Sequence, residues 1–256
     1  MAMSSVVSFL ALYNHKPTSS HMDSAYYAVK YLQSTASFGI AFHSNSDSIS
    51  YGYIHFPFHH DMEAYKDAIP PTAAEHSQLT AYSDACWGTQ FGTAIPPGHE
   101  VEVFKYRSMS GFVVLRSGGP LAWGAVRQER TSRSSCEAEV RATDECIKEV
   151  LSIRTRAEDI GLLESQKATM VYNDNQGCVD WCKNTTTTGM KHLNLRENAC
   201  RESFQSGDIN ICHIAGKLNV ADIFTKELKD SAHFCRLRDA FMMDKSTFSR
   251  ITSGAP

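Results

Sequence analysis

Four acidic side chains stand at the ends of elements the sequence predicts: Asp84 within YSDACW, Glu139 in the first turns of a long helix, Asp174 closing VYND, and Asp222 near the start of a last helix. Brought together, carboxylates hold hard divalent cations, which take oxygen ligands. Taken singly, each has an ordinary explanation. An Asp at a strand end is a turn former, and an Asp in a first helical turn complements the helix dipole.

Glu139 is the sharpest of the four. Glu139, Ala142, Thr143, Cys146, Ile147 and Val150 recur at three and four residues and define the inward stripe of the helix. A carboxylate at the head of that stripe is costly to bury unless a cation or hydrogen-bond donors meet it, which points to a metal. Glu137 lies about 200° around the helix from Glu139, at about 100° per residue. With Ser134 three residues before it, Glu137 reads as half of a capping box and so as a structural acid.

These acids need a scaffold, and the patterning supplies one. LTAYSDACW, SGFVVLRS and PLAWGAV read as three consecutive antiparallel strands, the last two joined as a hairpin across Gly118 and Gly119. A helix from about Ser135 to Ile160 follows, then strand ATMVYND, helices from Gln176 to Lys183 and from about Leu193 to Ser206, strand DINICHI and helix NVADIFTKEL. This order suits an α/β fold, a mixed sheet with helices on both faces. Upstream, HMDSAYYAVKYLQ forms an amphipathic helix with Met22, Ala25, Val29 and Leu32 on its apolar side. Residues 44–78, rich in His, Pro, Tyr and Ser, read as a hairpin or irregular connector, and the domain boundary is set near Gln78.

Composition bounds the rest. A chain of 256 residues with 42% hydrophobic and 10% aromatic residues can bury a full core. Its eight cysteines lack CxxC pairs or a secreted-framework spacing and read as reduced core thiols. There is no run of eighteen apolar residues and no signal-peptide pattern, so an intracellular, cytoplasmic protein without membrane partners is expected. The formal charge of −3 gives no overall basic field. Contact with nucleic acid is therefore local, and RQERTSR (Arg127, Arg130, Arg133) and the stretch from Lys183 to Arg201, with Lys191, are the candidates for phosphate contacts. Each reads equally well as a solvated face. Trp87 and Trp123 read as core residues rather than base-stacking groups.

In order along about 150 residues, YSDACW, SMSGFVVLRSGGPLAW, RSSCEAEV, VYNDNQGCVDW, GMKHLNLREN and HIAGKLNVADIFTKEL resemble the ribonuclease H segment of copia-type retrotransposon Pol polyproteins. HMDSAYYAVKYLQST resembles the end of the adjoining reverse transcriptase, whose YxDD polymerase motif is absent here. The resemblance implies a ribonuclease H-like fold over 79–229. It also implies a reverse-transcriptase remnant, a small helical and hairpin unit with its connector, over 1–78, and a C-terminal helix and tail over 230–256.

By the same resemblance, Asp84, Glu139, Asp174 and Asp222 match the family's four metal ligands. The implied activity is hydrolysis of the RNA strand of RNA/DNA hybrids with two Mg²⁺ ions about 3.5–4 Å apart, Mn²⁺ substituting, and no small-molecule cofactor. The upstream polymerase portion is the implied partner. His213 stands where some relatives place a mobile histidine, although a structural strand-end role fits it too. Asn175 and Gln176 are placed to contact the backbone or sugar hydroxyls, unless Asn175 caps the next helix. The rival reading is a catalytically silent or host-adopted remnant that keeps the fold as a nucleic-acid-binding or structural module.

Overall fold

The computed structural model describes residues 1–40, 42, 79–88, 107–162, 167–183, 198–247 and 249. Its centre is a five-stranded mixed sheet built from β2 (Thr80–Cys86), β3 (Met109–Arg116), β4 (Gly119–Arg127), β5 (Thr169–Asn173) and β6 (Ile209–His213), with β1 (Phe38–Ile40) outside it. The strand order is β4-β3-β2-β5-β6. β3 runs antiparallel to both β2 and β4, whereas β5 joins β2 and β6 joins β5 in parallel. The three antiparallel strands followed by parallel ones are those the motifs predict.

Local chemistry explains the joints. Between β3 and β4 the turn is made by Ser117 and Gly118, with φ of 50° and 73°. Two successive positive φ values match the right-handed twist of the flanking strands, so a two-residue turn closes the hairpin one residue earlier than the glycine pair suggests. α3 (Ser135–Asp159) starts at Ser134, whose side chain accepts from the Glu137 amide, and it runs 25 residues. α4 (Gln176–Lys183) and α5 (Ala199–Gln205) complete the layer on the α3 side.

The sheet is covered on both faces. On one, Val140, Ile147 and Val150 of α3, Val179 and Trp181 of α4 and Cys200 of α5 pack on Ala81, Val114, Val171 and Ile211. On the other, Tyr82 and Val113 meet Val220, Ile223 and Phe224, joined by Leu237 and Phe241 at the end of α6 (Ser231–Asp239). All but the ends of β2 are buried, as a strand shielded on both faces must be. The predicted last helix NVADIFTKEL forms only a short 3-10 turn, Val220–Phe224, preceded by another at Gly216–Leu218. Asn219, buried between them, accepts from the Ala221 amide and sets the second turn's start.

The first forty residues pack on this body. In α1 (Ser4–Ala11) the Ser5 hydroxyl donates to the Ile223 carbonyl at 3.3 Å and Ser8 to Ala125 at 2.7 Å. β1 pairs antiparallel with β7 (Met242–Asp244). α2 (Ser19–Ser34) forms as expected but with another face inward. Met22, Val29 and Leu32 are exposed, while Ala28 is buried and Tyr31 packs edge-on against Phe234. Residues 44–78 lie outside the described residues.

Candidate active site

Asp84 and Asp174 reach the same place because β2 and β5 are adjacent parallel strands and both residues stand at carboxyl ends, Asp174 directly after Asn173. Alternation along β2 sends Ser83 toward α3, where its hydroxyl lies 3.0 Å from Thr143 Oγ1, and Asp84 toward the turn at Val220–Phe224. Glycine at 111, the Asp84 partner on β3, allows that turn to approach. A Cβ there would lie 2.5 Å from Thr225 Cγ2 and 2.8 Å from Phe224 Cβ.

From the opposite layer α3 delivers Glu139, so the inward phase read from the helix holds. One oxygen each from Asp84, Glu139 and Asp174 lie within 4.8 Å of one another. Glu139 is held by Asn173, whose fully buried side-chain amide donates to Glu139 Oε2 at 3.0 Å and to the Ser83 carbonyl at 3.2 Å. The Asn219 amide donates to that same carbonyl at 2.9 Å. Two asparagines from different elements thus clamp the backbone one residue before Asp84. Glu137 is the structural acid expected, with a changed partner. Its carboxylate accepts from the Arg133 amide at 2.8 Å and pairs with Arg141 at 2.9 Å, rather than closing on Ser134.

Asp222 approaches through a basic intermediary. Lys226 Nζ lies 2.6 Å from Asp222 Oδ1 and 3.2 Å from Asp84 Oδ1. The Thr225 hydroxyl donates to the other Asp84 oxygen, Oδ2. Asp222 is therefore tied to the cluster by an ammonium and is not one of the three converging acids.

Burial and crowding dominate the electrostatics. Burial, then repulsion from Asp84, pushes the Glu139 carboxyl up to about 10 against the opposing Asn173 hydrogen bond. The same two causes push Asp222 up to about 8 and raise Asp174, with Lys226 opposing both. An oxygen-only donor set that resists ionising without a counter-cation fits a hard divalent ion.

The remaining predicted residues divide. His213 Nε2 lies 3.1 Å from the Asp174 carbonyl oxygen, with the ring exposed beside the cluster. Asn175 Oδ1 accepts from the Cys178 amide at 3.0 Å, the helix-capping alternative. Gln176 turns outward to Asp180 at 2.7 Å. Arg127 is half-buried at the end of β4, and Arg130 and Arg133 are exposed in the segment leading to α3. Lys191 lies outside the described residues. Trp87 and Trp123 are not core residues: they are 53% and 38% exposed. Trp87, one residue past β2, turns outward to donate from its indole nitrogen to the Ser132 carbonyl at 2.9 Å.

Asn173, Asn219, Thr225 and Lys226 complete the site without having been singled out from sequence. For Lys226 the signal was its place four residues after Asp222, a spacing that ordinarily marks a solvated helical pair.

No family model matches the sequence. Over 227 residues the chain is 26% identical to the retrovirus-related Pol polyprotein from transposon RE2 of Arabidopsis thaliana, an alignment covering 88% of this chain. Over 126 residues, 49% of this chain, it is 31% identical to that from transposon TNT 1-94 of Nicotiana tabacum. Both of these relatives are transposon Pol polyproteins. The chain spans 13% and 9% of the lengths of these two. Among solved structures it is similar to LC11-RNase H1, isolated from compost by a metagenomic approach. The TM-score is 0.40 at 17% identity, with 61% of this chain and 98% of that one covered.

Proposed function

We propose that this chain is the ribonuclease H module of a copia-type retrotransposon Pol polyprotein, and that it hydrolyses the RNA strand of RNA/DNA hybrids with divalent metal. The observation that carries the reading is the convergence of Asp84, Glu139 and Asp174 at the carboxyl ends of two adjacent parallel strands. Asp84, Glu139 and Asp174 would hold Mg²⁺ or Mn²⁺, with Asp222 bordering them. Bound there, such ions stabilise the attacking and leaving oxygens of a phosphodiester.

The chain's own groups prepare that chemistry. Asn173 orients Glu139 toward the cluster, and the asparagine clamp on the Ser83 carbonyl holds Asp84 in place. His213, anchored on the Asp174 backbone, stands at the rim where it can pass a proton to water or to the departing oxygen. Arg130 and Arg133 lie on the segment that Trp87 contacts through Ser132, on the β2 carboxyl-end side, and are placed to meet phosphates. RNA/DNA hybrid is thus the partner proposed, and residues 1–78, as the end of a polymerase portion, would present it.

The test uses purified chain with labelled hybrid, RNA duplex and DNA duplex, with Mg²⁺ or with chelator. Metal-dependent nicking of the hybrid's RNA strand alone is expected. Hybrid binding without turnover would favour the silent remnant, and equal cutting of all three duplexes would refute the assignment.

A further inference from the structure

The Lys226 ammonium lies between two acids of the cluster, 2.6 Å from Asp222 and 3.2 Å from Asp84, on a side chain that is 35% exposed. With Thr225 donating to Asp84 Oδ2, both Asp84 oxygens already have a partner, and the one facing Asp222 is held by a positive charge. Asp84, Glu139 and Asp174 converge on one point without Asp222. Two places for positive charge follow: one open among three carboxylates, and one on the Asp222 side filled by the protein itself.

We propose that Lys226 is a resident cation of this pocket, filling the Asp84–Asp222 position so that the free protein binds a single divalent ion, on Asp84, Glu139 and Asp174. This rests on the metal-binding reading above. The physical basis is short-range repulsion. A divalent ion a few ångströms from an ammonium meets like charge in a partly buried setting where screening is weak, so the two cannot share the Asp222 side. A partly exposed, flexible four-carbon stem also gives the ammonium a route out to water, which makes Lys226 a gate for a second ion rather than a permanent block.

The test is Mn²⁺ titration of the full chain by calorimetry, with electron paramagnetic resonance to detect pairs of close ions. The parent should take one equivalent. Lys226→Met, which keeps the apolar stem and removes the charge, should take two, with dipolar broadening, and its first dissociation constant should fall by about tenfold or more. Lys226→Gln keeps a donor for Asp222 without the charge and serves if the Met variant melts near room temperature. Equal stoichiometry in parent and variants, whether one or two, overturns the assignment to Lys226 and leaves the metal reading standing. No Mn²⁺ bound to any of them removes the metal reading itself and the Lys226 proposal with it.

Discussion

Asn173 donates a 3.0 Å hydrogen bond to Glu139, so a strand residue next to one acid of the cluster fixes the orientation of another delivered by a helix from a different layer. Asn173→Asp replaces that donor by a carboxylate in a fully buried position beside Glu139. Loss of the hydrogen bonds alone costs about 1–3 kcal/mol, and the added charge makes the loss larger at neutral pH than at pH 4. Urea unfolding at the two pH values measures it; a variant as stable as the parent at both would show that Asn173 orients nothing.

The two glutamates of α3 should separate. Glu139→Gln replaces a buried carboxyl, held protonated without metal, by a neutral side chain of the same shape that can still accept from Asn173, so it should abolish hybrid cleavage without lowering the melting temperature. Glu137→Ala removes the acceptor for the Arg133 amide and the Arg141 ion pair at the helix start. Its expected cost is about 0.5–2 kcal/mol, as for a lost cap, with chemistry spared. Cleavage rate and thermal melting on both variants decide the matter, and the opposite assignment of effects would mean that Glu139 is not a site residue.

Metal-free stability should depend on pH in a defined direction. Glu139 and Asp222 have folded-state values near 10 and near 8, above the roughly 4 of an unfolded carboxyl. The folded state therefore binds more protons between pH about 4 and those values, and stability contributed by these groups falls as pH rises through that window. In chelator, the parent should weaken relative to Glu139→Gln as pH is raised from 4 to 8. A flat difference across that range would show that Glu139 ionises normally.

Asp174→Asn takes one charge from the cluster while nearly keeping shape. It should raise the metal-free melting temperature and reduce the Mg²⁺-induced rise, which for the parent is worth about 1.4 kcal/mol at ten times the dissociation constant. Differential scanning calorimetry with matched Na⁺ controls measures both. A less stable variant with an undiminished Mg²⁺ response would make Asp174 a turn residue.

Gly111→Ala tests the approach of the 3-10 turn to β3. A methyl group 2.5 Å from Thr225 and 2.8 Å from Phe224 must displace the segment that carries Asp222, Thr225 and Lys226. Overpacking of this kind costs about 1–3 kcal/mol. Cleavage should fall further than stability alone explains when assayed well below the melting temperature, and unchanged cleavage there would show that the turn's position is not critical.

Much of this was legible because the strongest signals are local. The stripe from Glu139 to Val150 sets its own phase, and the strands around Asp84 and Asp174 are bounded by turn residues. What escaped depends on tertiary contact. α2 shows Met22, Val29 and Leu32 to solvent because its orientation is set by Tyr31 against Phe234 and by the stacking of His21 on Tyr13, rather than by its own apolar residues. The segment NVADIFTKEL has helical spacing, yet it coils only as the short 3-10 turn Val220–Phe224, with Asn219 at its start drawn inward to the Ser83 carbonyl. Asn173 carries no signal of its own in the sequence, because its role lies in serving β2 and α3 at once.

The docking of α1 has a consequence for biosynthesis. Ser5 is anchored to the carbonyl of Ile223, 218 residues later in the chain. At about 5–20 residues per second, the ribosome exposes α1 for roughly 10–45 s before its seat has been translated. During that interval its apolar side chains are open to chaperones and to misassembly with other nascent chains. A helix translated this far ahead of its seat is among the last elements to find its place, and arrested translation products ending before Ile223 should be markedly more prone to aggregation than products that include it.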